Sequence, residues 1–197
     1  MAQYGASLKL SNGNVFVTPD ASPLCLYRRM TLTSNYQSVT IPSGKPVMYF
    51  SRDADGISMA FRNSATELLV GPGNGVGYIF TIFTPSLPKY GMGIWNAEGQ
   101  LILTNESRIL TDLVKVGTPG NQGGIYIDQT LTGSYAIAPQ LLGAIVGMGS
   151  ASIYAATKYN GSTTRIYGKA AGQPPGAQGY INHGNIITAI KTDIYDQ

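Results

Sequence analysis

The segment Tyr4–Thr18 recurs without a gap as Tyr90–Thr104. The aromatic-glycine openings Tyr4-Gly5 and Tyr90-Gly91 coincide, as do the turn glycines Gly13 and Gly99. The apolar triplets Val15-Phe16-Val17 and Leu101-Ile102-Leu103 and the closing Thr18 and Thr104 coincide as well. A chain copied in tandem repeats its order of elements, so this match divides the sequence before any element is assigned. Each copy reads as strand, tight turn, strand, because alternation up to Leu10 gives way to Asn12-Gly13, where glycine accepts positive φ. The second copy turns at Glu98-Gly99.

A second hairpin is expected in both halves. Val47–Arg52 and Ile57–Arg62 flank Asp55-Gly56, and Ala151–Ala156 and Thr163–Tyr167 flank Asn160-Gly161. Each half then closes with a glycine-rich stretch and a β-rich run, Gly77–Thr84 and Asn185–Ile190. Pro85 and Pro88 remove backbone donors between the halves, which places a boundary there. The interval from Gly99 to Gly161 exceeds that from Gly13 to Gly56 by about nineteen residues, assigning an insertion to about 111–149 with a loop at Thr118–Gly124. Apolar Leu141–Met148 is too short to span a bilayer of about 30 Å as a helix and reads as a buried strand. Arg62–Val70 is the best helical candidate and equally fits a strand with a loop.

The expected fold is therefore all-β: two tandem antiparallel β-sandwich domains related by internal duplication, over residues 1–86 and 87–197. Tyr4, Leu8, Leu10, Val15 and Val17 are expected on one inner face, and Tyr90, Ile94, Leu101 and Leu103 on its counterpart. Alternatively, one half covers an open edge of the other.

Charged residues make up 12% of the chain, about half the usual share of roughly 25%. With 25 Gly and 13 Tyr, the composition suits β-structure and opposes a helical bundle. The net charge of +3 is spread evenly, and Arg28-Arg29 is the one adjacent cationic pair, so nucleic-acid binding by counterion release is not expected. Cys25 has no partner for an internal bridge and reads as a buried thiol. Met1–Gly5 shows no cationic flank leading into an apolar run, so the chain is expected to be made in a cytoplasm, without membrane insertion.

No catalytic constellation emerges, and an enzyme is not expected. His183, the single histidine, lies in an expected loop with no nucleophile elbow elsewhere in the sequence. One His and one Cys cannot supply a zinc set, so no metal is expected. Asp53-Ala54-Asp55-Gly56 resembles the start of a calcium loop, but its twelfth position is Ser64, and a hairpin turn is the expected reading. Gly71–Gly77 lacks the Lys-Ser/Thr ending of a phosphate loop and leads into a strand, so no nucleotide or other cofactor is expected. Trp95, Tyr154, Tyr159, Tyr167 and Tyr180 are the candidates for protein contacts, since flat rings bring large apolar area at low entropic cost.

The run Tyr90-Gly91 through Trp95-Asn96-Ala97-Glu98-Gly99-Gln100 to Leu103, with a weaker copy at Tyr4–Val17 in which Leu10 replaces the Asn, resembles a family of small virion proteins of tailed bacteriophages. Those proteins are similar in opening with a Tyr-Gly hairpin, usually in one copy; the duplication here departs from that. The resemblance implies a non-enzymatic structural protein of the virion, in the tail or associated with the tail tip or fibres. It also implies contacts with other tail proteins and with its own copies. The alternative is a receptor- or glycan-binding tail module that contacts the host cell surface.

Overall fold

The computed structural model of the chain describes residues 8–9, 15–17 and 22–197. It is all-β, with several antiparallel sheets. In chain order the strands are β1 (Leu8–Lys9), β2 (Val15–Val17), β3 (Cys25–Thr31), β4 (Gln37–Thr40), β5 (Val47–Asp53), β6 (Ala60–Ser64), β7 (Glu67–Val70), β8 (Gly75–Thr81) and β9 (Gly93–Trp95). They continue as β10 (Leu101–Thr104), β11 (Leu113–Val116), β12 (Asp128–Thr132), β13 (Tyr135–Ile137), β14 (Leu141–Val146), β15 (Ser150–Tyr159), β16 (Thr163–Ala170), β17 (Gly179–Asn182) and β18 (Ile187–Lys191). A short 3-10 turn covers Gly124–Tyr126.

A six-stranded sheet, ordered β11-β18-β13-β5-β8-β3, runs through the molecule. Three of its strands precede residue 86 and three follow it, and the two groups meet where Ile137 pairs with Ser51. The halves therefore do not fold as two separate sandwiches, because β13 of the second half joins β5 of the first. Within the sheet each half sets its last strand, β8 or β18, between its other two.

Alternation sends Tyr49, Ile79, Ile137 and Ala189 to one face of this sheet and Phe50, Phe80, Ala136 and Ile190 to the other. On the first face, the sheet β4-β7-β6 covers the β5-β8-β3 side, closing a core around Val39, Ile41, Leu68 and Ile79. The sheet β12-β16-β15-β14-β17 covers the other side, closing a core around Leu142, Ile153, Ile166 and Ile187. The second face is capped by Tyr195, fully buried with its ring 5.0 Å from that of Phe80.

Several local expectations meet the structure directly. The expected hairpin at Asn160-Gly161 joins β15 to β16; Gly161 takes φ +99°, and Asn160 Oδ1 accepts the Ser162 and Thr163 N–H groups. Leu141–Met148 contains β14, flanked by β15 and β17. The Arg62–Val70 stretch lies in the β6–β7 hairpin.

The expected hairpin at Asp55-Gly56 is corrected. Tyr49, Phe50 and Ser51 are buried in succession, so both faces of β5 are covered; it lies inside the sheet, paired with β8 and β13, while β6 pairs with β7. Gly56 instead bridges Thr157 on β15.

The repeated hairpin is more faithful. Leu8 pairs with Val17 and Lys9 with Val15; at the matching positions Ile94 pairs with Leu103 and Trp95 with Leu101, with the same register shift. Ile94 and Leu103 pack on Cys25 as expected of an inner face, but Tyr90 is a correction: it precedes the strand and is 80% exposed. Tyr4, Leu10 and the Met1–Gly5 segment lie outside the described residues, and only the backbone of Leu8, Val15 and Val17 is described.

Candidate interaction surface

The outer face of the five-stranded sheet is built by alternation. Ile153 and Ala155 on β15 and Ile166 on β16 point into the core, which turns Tyr154, Lys158, Arg165, Tyr167 and Lys169 outward. The register sets Tyr154 opposite Lys169, Ala156 opposite Tyr167 and Lys158 opposite Arg165, and β12 adds Asp128 opposite Tyr167.

Two carboxylates organise these cations. Asp128 takes a bidentate pair from Arg165, Nε to Oδ1 at 2.7 Å and a terminal nitrogen to Oδ2 at 2.6 Å. The same guanidinium lies 4.6 Å from the Tyr167 ring centre. Asp55 reaches over from the β5–β6 loop, accepting the Tyr167 hydroxyl at 2.5 Å and the Lys158 and Lys169 ammonium groups at 3.2 Å. Those bonds, Tyr167's first, hold the Asp55 carboxyl far below its ordinary range. Burial, reinforced by Asp55, pushes the Tyr167 phenol up to about 12. The result is a preorganised, mixed-charge aromatic face that offers recognition chemistry.

The structure gathers only part of the expected aromatic set. Tyr154 and Tyr167 share this face. Tyr159 falls on the opposite alternation, with Arg52 stacked 4.5 Å above its ring and its hydroxyl donating to the Gly161 carbonyl. Tyr180 is exposed on the edge strand β17, and Trp95 lies on β9 in a different hairpin. The sequence marked none of Lys158, Arg165, Lys169 and Asp128 as a contact residue, and it marked Asp55 only as a carboxylate of the calcium-loop-like turn. The legible signal was the alternation of Arg165, Tyr167 and Lys169 along one strand.

A second exposed surface surrounds β9. Leu87, Tyr90, Met92 and Trp95 are all exposed, Trp95 by half. A Cβ on Gly93 would stand 2.7 Å from the folded-back Trp95 ring, so a side chain there would displace that ring. Beside it, an open groove of about 850 Å³ is lined by residues including Phe83, Asn105, Glu106, Arg108 and Gln197.

Of the residues weighed for chemistry, His183 is exposed in the β17–β18 loop, and its N–H donates to the Leu142 carbonyl. Cys25 is buried, and burial pushes its thiol up to about 11. The Asp53–Gly56 carboxylates part company. Asp55 turns to the lysines, while Asp53, 1% exposed, accepts the Asn74 N–H through Oδ1 and leaves Oδ2 without a partner. Burial raises the Asp53 carboxyl, against the Asn74 N–H, Lys169 and Ser51, which lower it. Among the described residues no three His, Cys, Asp or Glu side chains are grouped to hold a metal ion, and no helix is long and apolar enough to cross a membrane.

No family model, no curated protein and no solved structure matches the chain.

Proposed function

We propose that the protein is a non-enzymatic structural component of a tailed-bacteriophage virion, made in the host cytoplasm and seated in the tail or at the tail tip or fibre attachment. It acts through interfaces with other tail proteins and with its own copies. The observation that carries this reading is the Tyr90–Leu103 motif, whose resemblance to small virion proteins coincides with a hairpin flanked by Leu87, Tyr90, Met92 and Trp95. An exposed cluster of this kind suits burial against a neighbouring subunit. Internal duplication belongs to the same proposal, since a copied module doubles the interfaces one gene supplies. The matching hairpin registers and the equivalent strand order of the two halves speak for that ancestry.

A receptor- or glycan-binding tail module is the second reading, favoured by the open groove beside Asn105, Glu106 and Arg108, whose polar lining suits a hydroxylated ligand. Sedimentation of the purified chain together with a host-cell pull-down separates the two. Closed symmetric assemblies without cell binding support the structural role. A monomer that binds host cells supports the receptor reading and overturns the first.

A further inference from the structure

The hairpin β9–β10 has a seat. Ile94, Ile102 and Leu103 pack on Cys25 at the start of β3 and on Phe83 beyond β8. The chain leaving the hairpin runs antiparallel to the lead-in of β3: Cys25 bridges Ile109, the Leu26 N–H donates to the Arg108 carbonyl, and the Leu110 N–H donates to the Leu24 carbonyl. In the tandem repeat Leu24 is the counterpart of Leu110, so this crossing maps onto itself when the halves are exchanged.

That symmetry defines a second seat. Cys25 pairs with Thr81 across β3 and β8. In the tandem repeat Thr111 is the counterpart of Cys25, and it lies two residues before Leu113, which pairs with Ile190 across β11 and β18. Phe83 lies two residues past the end of β8, and Ile194 three past the end of β18, in a turn where the Tyr195 N–H donates to the Thr192 carbonyl. At this second position the structure has a groove of about 260 Å³, lined by residues including Thr111, Val114, Tyr135, Lys191 and Ile194, with Ile194 44% exposed.

We propose that this groove is the seat of the chain's own N-terminal hairpin, β1–β2, held there as β9–β10 is held on Cys25 and Phe83. The occupant follows from three observations. The hairpin has the register of its seated twin. A two-stranded hairpin is marginal alone and needs an apolar partner. The tether from Val17 to Leu24 matches that from Leu103 to Leu110, and Leu24 is bonded to Leu110, one residue from Thr111. The seven steps from Val17 to Leu24 span at most about 25 Å when fully extended, which confines the hairpin to this end of the molecule. The inference does not depend on the virion reading.

The test is a cysteine pair in the full chain on a Cys25→Ser background. Val17→Cys, at the counterpart of Leu103, is paired with Ile194→Cys, the exposed apolar residue of the groove, and Leu103→Cys with Phe83→Cys is the control. Mild oxidation is expected to close a bond within one chain, seen as a mobility shift at monomer mass. Failure to close while the control closes overturns the proposal, and so does a bond between chains, which would give the groove to a second copy. Hydrogen exchange gives a readout without cysteines. The Lys9, Val15 and Val17 amides are expected to exchange at least about tenfold slower than an open coil, and Ile194→Asp to remove that protection. Coil-like exchange in the unaltered chain, or protection that survives Ile194→Asp, overturns it.

Discussion

Arg52 on β5 and Asp196 in the closing segment form an ion pair of 2.8 Å on the Tyr195 side of the shared sheet. Arg52 also donates to Thr192 Oγ1 at 2.8 Å and to Ser134, and Asp196 accepts the Tyr78 hydroxyl at 2.7 Å and Arg29 Nε at 2.8 Å. Arg29, Arg52 and Tyr78 come from one half and Ser134, Thr192 and Asp196 from the other, so this network ties the halves together beside the β5–β13 seam.

Asp196→Asn is expected to lower unfolding free energy by about 2–3 kcal/mol, because it removes one charge of a largely buried, hydrogen-bonded set. Arg29→Gln is expected to cost less than about 1 kcal/mol, since the Arg29 side chain is 41% exposed and its partner keeps three other donors. Chemical denaturation compares the two variants. Equal losses would show that the network is not the tie described.

Burial raises the Asp196 carboxyl, but the hydrogen bonds from Tyr78, Arg29, Arg52 and Thr192 outweigh it and bring the pKa down to about 2. An unfolded Asp titrates near 3.9, so the contribution is fully present above about pH 4 and is lost as pH falls toward 2. Urea melts at about 0.5 M salt, where exposed pairs such as Lys158–Asp55 are screened, are expected to show this acid loss in the parent and a flatter profile in Asp196→Asn. Parallel profiles would contradict it.

Asp53 has the opposite sign. Its folded pKa is raised, chiefly by burial, so its contribution is full below about pH 4 and is lost as pH rises through the folded value. Asp53→Asn keeps an oxygen for the Asn74 N–H and removes the ionisable Oδ2, and is expected to stabilise the protein at pH 7–8 by about 1 kcal/mol, with the gain shrinking toward pH 4. A variant destabilised at every pH would mean that the charged form is the one the fold accommodates.

Cys25 is expected to resist thiol reagents in the native protein and to react fully after denaturation. It sits under Ile102 and Leu103 with its thiol raised to about 11, so little thiolate exists at neutral pH. Stoichiometric labelling under native conditions would show that the β9–β10 hairpin lifts off its seat.

What was legible in the sequence was local. Asn160-Gly161 and Glu98-Gly99 announced hairpins because alternation on both sides and a turn glycine determine that geometry within a dozen residues. Asp55-Gly56 carried the same signal and turned out otherwise, since β5 is buried on both faces and its partners β8 and β13 come from far along the chain. Nothing local marks that Ile137 meets Ser51, so the continuity of the sheet across residue 86 was not readable. Tyr154 and Tyr167 could be placed on one face by counting, whereas Asp55 arriving from the other half depends on the Gly56–Thr157 bridge, a tertiary event.

The proposed function makes this chain a built-in part of a phage tail. Mass spectrometry of gradient-purified particles, produced by the genome that encodes it and fractionated into heads and tails, addresses this directly. Peptides of this chain are expected in the tail fraction at a fixed ratio to the other tail proteins. Peptides confined to the soluble lysate, with intact particles lacking them, would contradict it.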